Sequence, residues 1–319
     1  MTPKAITRRL LVGAGIVVVA VLLLSGTGLW WSSSFLLDPR LRGSTDFDTC
    51  AEETAAYWGE ACGNLRDSNR FRFTEVEIPS VNGYNMPGWY VSTAANDIGP
   101  PEGAIMLLHG GGGDRRAMTR YIGYFLERGL DVVTFDLGCA GESPCPEGGM
   151  SYGHRESRDA FSGYLYLRAR YDRIFAMGSS VGAAALLTAL PEMPELNGLI
   201  AENPFFDFES LIVESAAEVP QWFVQKLIGL TKARGSFDGL RNPANSLPLA
   251  AGIPVFFVHS SQDERTPLRR TRDLMELYDG PMVSWFPECG SHSAIWNWNP
   301  GEYERRLSRF LDSVHNLRS

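Results

Sequence analysis

The sequence predicts an α/β fold: a mostly parallel central sheet covered by helices on both faces. Three observations carry that expectation. From residue 71 onward, short apolar runs alternate with stretches of helical periodicity, the order that builds a parallel sheet. Residues 104–108, AIMLL, are apolar without interruption, as suits a strand buried on both faces. Each motif able to carry chemistry follows directly on such a run, at the strand ends where parallel sheets bind ligands.

At 319 residues the chain can hold one large α/β domain or two small ones, and 44% hydrophobic with 21% charged residues is a globular composition, not a disordered one. A net charge of −8 argues against a nucleic acid held through its phosphates. Residues 10–37 contain no charged side chain, and Lys4, Arg8 and Arg9 precede them. Residues 10–31 are therefore expected to be a membrane-spanning anchor with Trp30 and Trp31 at its far interface. Residues 1–9 would stay cytoplasmic and the rest would be exported. A cleaved signal sequence is the competing reading, and it exports the body equally. Residues 32–70, polar and irregular with a helix near 52–58, read as a spacer.

Five cysteines fit export. Cys50 and Cys62 bracket one short segment and Cys139 and Cys145 another, so two local disulfides are the economical arrangement. Five reduced, buried thiols are the alternative. Neither pair has a histidine at zinc-ligand spacing.

Residues 71–78 alternate as a half-buried strand does, 79–83 make a turn, and 86–92 return, which is a β-hairpin. Strand 104–108 ends in His109 and four consecutive glycines, 110–113. A helical stretch at 115–128 stops at Gly129. Strand 131–135, a glycine-containing loop, and a helix at 157–171 follow. Strands at 174–177, 198–201, 255–259 and 282–286 complete the sheet, and 303–317 is a closing helix. The long interval at 205–249 must fold over something. Within it Val219, Trp222, Phe223, Leu227 and Leu230 can share one helical face, as a pocket wall or as ordinary packing on the sheet.

Residues 178–182, GSSVG, are a G-x-S-x-G placed between an apolar strand and a small-residue helix. In that setting the serine stands on a sharp turn with its hydroxyl exposed, and the next backbone N–H is free to meet an oxyanion.

From residue 71 to the end the pattern resembles the α/β-hydrolase superfamily. LLHGGGG at 107–113 looks like the oxyanion loop, and DLGCAGES at 136–143 looks like the loop after the fourth strand, with Cys139 and Ala140 as departures. HSSQDERTP at 259–267 and GSHS at 290–293 look like the acid and histidine loops. Within the superfamily the chain is most similar to exported or membrane-associated serine hydrolases, esterase-, thioesterase- or serine-aminopeptidase-like. The resemblance implies a hydrolase domain at 71–319, with a helical cap at about 205–249 inserted after the sixth strand.

Roles follow from the chemistry. Serine is a poor nucleophile without a hydrogen-bonded base. Of the five histidines only His292 lies in a glycine- and serine-flanked loop after the last strand, so it is the expected base for Ser180. Asp263 is the expected orienting acid; Glu264, Asp207 and Glu202 are the alternatives. Val181 N–H and Gly111 N–H would form the oxyanion hole, with Gly112 as an alternative. His109 reads as a supporting donor, Arg115 and Arg116 as surface charges at a helix start. Trp296 and Trp298 either line the pocket or cover the last strand. The expected substrate is a carboxylic ester or thioester, with short peptides or amides as the alternative and a silent binding protein as the rival. No motif calls for a metal, nucleotide or flavin.

Overall fold

The computed structural model describes residues 26–42, 52–250, 252–289 and 291–318. Eight strands form one sheet in the order β1-β2-β4-β3-β5-β6-β7-β8. β1 (Thr74–Pro79) and β2 (Asn85–Val91) are the expected hairpin, and β2 runs antiparallel to β4 (Leu130–Phe135). All later pairings are parallel, through β3 (Gly103–Leu108), β5 (Ile174–Ser179), β6 (Gly198–Glu202), β7 (Val255–Val258) and β8 (Met282–Trp285). The central strands β3 to β7 are buried along their whole length, which is why their sequences are mainly apolar rather than alternating, with Asp131, Thr134, Ser179 and Glu202 as buried polar positions. Edge strands β1 and β8 keep exposed positions.

Two apolar layers cover the sheet. On one face α4 (His154–Arg168), α5 (Val181–Ala189) and α9 (Leu268–Glu276) bury Leu167, Leu186, Leu187 and Leu274. On the other, α3 (Ile122–Glu127) and α10 (Pro300–Arg318) bury Phe125, Tyr303, Leu307 and Phe310. The stretch expected to be helical at 115–128 begins as a tighter 3-10 segment, Arg115–Tyr121, before α3, and Gly129 ends it at φ 72°.

A third apolar cluster lies over the carboxyl ends of the strands. It contains residues of α6 (Phe208–Ser215) and α7 (Gln221–Gly235) of the expected cap, whereas Ala244 of the short α8 (Pro243–Ser246) packs on the first of the two sheet layers. The buried face of α7 is Val224, Leu227, Ile228 and Thr231; Val219 and Trp222 point outward, so the stripe expected there is rotated.

The N-terminal part differs from a spacer. Residues 26–37 form a helix, α1, whose Leu37 is 7% exposed within the cap cluster. Met150 N–H donates to Leu37 O at 2.8 Å, Tyr152 O–H to Leu36 O at 3.0 Å, and Arg234 to Trp30 O at 2.8 Å and Ser34 Oγ at 2.9 Å. Leu65 enters the second sheet layer, and Trp58, the last residue of α2 (Glu52–Trp58), lies under the Arg116 guanidinium at 5.1 Å. The described residues of 32–70 are therefore bound to the body, because their apolar side chains find partners on it. No helix among the described residues is long and apolar enough to cross a membrane. Most of the anchor expected at 10–31, and Cys50, lie outside the described residues. Cys139 and Cys145 are joined by a disulfide, Cys62 is also disulfide-bonded, and Cys289 is a buried free thiol.

Candidate active site

Four strand ends build the site. β5 delivers Ser180 on a turn with φ 53° and ψ −113°, outside the regions that side-chain-bearing residues favour. Such a conformation costs about 1–3 kcal/mol and persists only where its surroundings over-determine it. Here Ser180 N–H donates to Glu202 O at the end of β6, 2.8 Å away, and Ser180 O accepts from Ala184 N–H at 2.9 Å to start α5. Close packing explains the flanking glycines. A Cβ on Gly178 would strike the backbone of Gly182, and one on Gly182 would strike the carbonyl of Leu108.

The loop after β7 holds Asp263. Its Oδ1 accepts from Arg265 N–H at 2.8 Å and Thr266 N–H at 3.0 Å. Its Oδ2 accepts from Thr266 Oγ1 at 2.8 Å, from the Asn203 amide, and from His292 Nδ1 at 2.6 Å. Burial alone would raise this carboxyl. The bond to His292, the imidazole's charge and the Thr266 and Asn203 donors outweigh it and hold Asp263 below the usual carboxylate range. His259 braces the same loop. Its Nε2 lies 2.7 Å from Thr266 O and its Nδ1 2.7 Å from Thr271 Oγ1, and burial pushes it down to about 4, so it stays neutral as a cross-link.

The other acids are engaged elsewhere. Asp207 caps α6, accepting from Ser210 N–H at 2.7 Å, and Glu264 is exposed. Glu202 is fully buried behind the serine turn, accepting from Tyr303 O–H at 2.7 Å, Tyr121 O–H at 3.1 Å and Ser179 O–H at 3.3 Å. Ser179 Oγ also lies 2.7 Å from Ser293 Oγ, and Arg120 donates to Ser293 O at 3.0 Å while facing Glu202 at 3.9 Å. This network ties the histidine loop to the serine turn, and the motifs alone did not reveal it. The nearest signal was the pair of hydroxyl residues flanking the central positions, Ser179 and Ser293.

Ser180, Val181, Gly111 and His292 line one cavity of about 720 Å³. A Cβ on Gly111 would come 2.8 Å from Val181 Cγ2, so the glycine loop and the serine turn are in direct apposition. Among the described contacts no hydrogen bond joins Ser180 Oγ to His292. Leu36, Tyr57 and Trp58 also line the cavity, although they belong to the segment read as a spacer. Trp296 is instead packed among Tyr121, Tyr124 and Tyr303, and Trp298 is 53% exposed.

One further expectation is corrected. Arg115 and Arg116 are not surface charges; they are 0% and 1% exposed. Arg115 donates to Asp136 and Glu142 and lies 4.6 Å over the Trp89 ring, and Arg116 is bidentate on Asp114, at 2.9 and 2.8 Å. His109 is buried, with Nε2 accepting from Leu137 N–H at 3.0 Å and Nδ1 2.9 Å from Gly110 O. It fastens the glycine loop to the loop after β4 and takes no place in the cavity lining.

The family described as serine aminopeptidase, S33, matches residues 99–246. The uncharacterised protein YqkD of Bacillus subtilis is 27% identical over 97% of this chain and 99% of its own length. The structure superposes on the Pyrococcus furiosus esterase Pf2001 with a TM-score of 0.61 and 22% identity, covering 76% of this chain and 93% of that one. The chain has the α/β-hydrolase fold. A larger structure of the same fold, the Pyrococcus horikoshii acylaminoacyl peptidase, matches with a TM-score of 0.56 and 17% identity over 79% of this chain and 42% of the peptidase.

Proposed function

We propose that this α/β-hydrolase is a serine hydrolase that cleaves carboxylic esters or thioesters by acyl transfer to Ser180 and then to water. The observation that carries the reading is the 2.6 Å contact of His292 Nδ1 with a fully donor-saturated Asp263, with the same imidazole lining the Ser180 cavity. Asp263 fixes the imidazole with its proton on Nδ1, leaving Nε2 to take the Ser180 proton. The serine oxygen then adds to the acyl carbon, and the oxyanion is met by Val181 N–H and Gly111 N–H. Collapse expels the alkoxide or thiolate, which collects the proton from Nε2; water repeats the sequence and frees the acid. In this reading the Ser180–His292 bond forms when substrate binds, since catalytic hydrogen bonds are often long in unliganded sites.

A peptidase reading is favoured by the match to the serine aminopeptidase family. The same triad would serve, and the leaving group would be an amine. The charge-free run at 10–24 behind Lys4, Arg8 and Arg9 supports a membrane anchor with the catalytic body on the far side.

A fluorophosphonate probe tests the assignment. Labelling located at Ser180, abolished in Ser180→Ala and strongly reduced in His292→Ala, is the expected result. Folded wild-type protein that takes no label would point to a silent fold. Turnover of peptide amides without turnover of short acyl esters would favour the peptidase.

A further inference from the structure

A second, smaller cavity of about 240 Å³ lies between α1 and the cap, lined by Trp31, Phe35, Leu36, Ile212, Ala216 and Leu227, with Ser32 and Ser215 as its hydroxyl-bearing residues. It carries no charged side chain. Leu36, Ile212 and Ser215 line both this cavity and the catalytic one, so the two meet along those residues. The far side is open to the surface past Trp31, which is 72% exposed and stacked on Phe35 at 6.1 Å. An apolar slot of this kind gives no recognition to a sugar, a peptide backbone or a charged group, because nothing in it replaces their hydration. It suits a flexible hydrocarbon chain, which gains about 0.8 kcal/mol for each methylene removed from water.

We propose that this slot is the distal acyl site of the enzyme, so that the substrates are esters or thioesters of long, unbranched acyl chains. The proposal rests on the Ser180 reading above. The acyl carbonyl sits at Ser180, the chain passes Leu36 and Ile212, and its end lies between Trp31 and Leu227. The N-terminal helix is then half of the substrate site. Leu36 is the residue on which both cavities turn.

The test uses the full-length chain in amphipol, free of detergent. With p-nitrophenyl butyrate and p-nitrophenyl laurate as probes, kcat/KM should rise about a hundredfold from butyrate to laurate, the gain from burying about three or four further methylenes. Ala216→Trp, which fills the slot, should lower the laurate-to-butyrate ratio about tenfold or more. Dodecanol should inhibit butyrate hydrolysis by the wild type, a measurement that stands if the variant does not fold. Butyrate turnover with no gain for laurate and no inhibition by dodecanol would overturn the acyl site and leave the Ser180 assignment intact. Absence of both ester turnover and fluorophosphonate labelling would remove the two together.

Discussion

Replacing Arg115 by methionine takes one guanidinium out of a place where water cannot substitute for it. Arg115 is fully buried, and so is Asp136, its partner; Asp136 keeps only the backbone N–H donors of Arg115 at 2.8 Å and Glu142 at 2.9 Å. Glu142 is less affected, because it is 37% exposed and retains Arg66 at 2.7 Å. Removing one member of a buried pair costs about 3–5 kcal/mol. That corresponds to a melting temperature lower by about 6–15 °C for a domain of this size.

The loss should depend on pH. Burial pushes Asp136 up to about 7 even with Arg115 beside it, and without that charge it rises further. A carboxyl raised above its unfolded value of about 3.9 contributes fully below that pH and loses its contribution as pH rises through the folded value. The deficit of Arg115→Met relative to wild type should therefore be largest near pH 8 and shrink towards pH 5, as Asp136 takes up a proton. Thermal and urea unfolding at the two pH values measure it, and Arg115→Met/Asp136→Asn should recover a large part of the loss. A single variant within about 1 kcal/mol of wild type at pH 8, or a deficit independent of pH, would refute the reasoning.

Asp263→Asn should reduce kcat by about a thousandfold or more with little change in KM, since the amide presents N–H to His292 and favours the wrong tautomer; steady-state ester hydrolysis reads this, and a loss under tenfold would place the acid elsewhere. Asp263 is held below the usual carboxylate range, so the stability it adds is present above about pH 4 and is lost on further acidification, which urea titration between neutral and acid pH can follow. Glu202→Gln should destabilise by about 1–3 kcal/mol and loosen the Ser179–Ser293 tie, lowering kcat more than KM. Removal of residues 1–43 should lower stability by at least about 2 kcal/mol, because Leu37 leaves the cap cluster and the donors of Met150 and Tyr152 lose their acceptors; unchanged melting would show that α1 contributes little.

The order of strands and helices was legible because each central strand is buried on both faces and so writes a mainly apolar run. The loops that carry Ser180, Asp263 and His292 were legible as candidates for a related reason: strand ends in a parallel sheet carry short loops whose composition is constrained by close backbone approach, as at Gly178 and Gly182. What the tertiary structure alone decided concerns partners distant in sequence. A local pattern cannot say that Arg115 meets Asp136 in the interior, since charged residues at a helix start ordinarily face water. It cannot choose Asp263 over Glu202 either, because both follow strands and only packing shows Tyr121, Tyr303 and Ser179 closing around Glu202. The 29–37 stretch reads from sequence as the end of an apolar anchor, to residue 31, and the start of a spacer. That Leu36 lines both cavities and Leu37 is buried in the cap cluster depends on α6 and α7, nearly two hundred residues later, leaving an apolar face for them to cover.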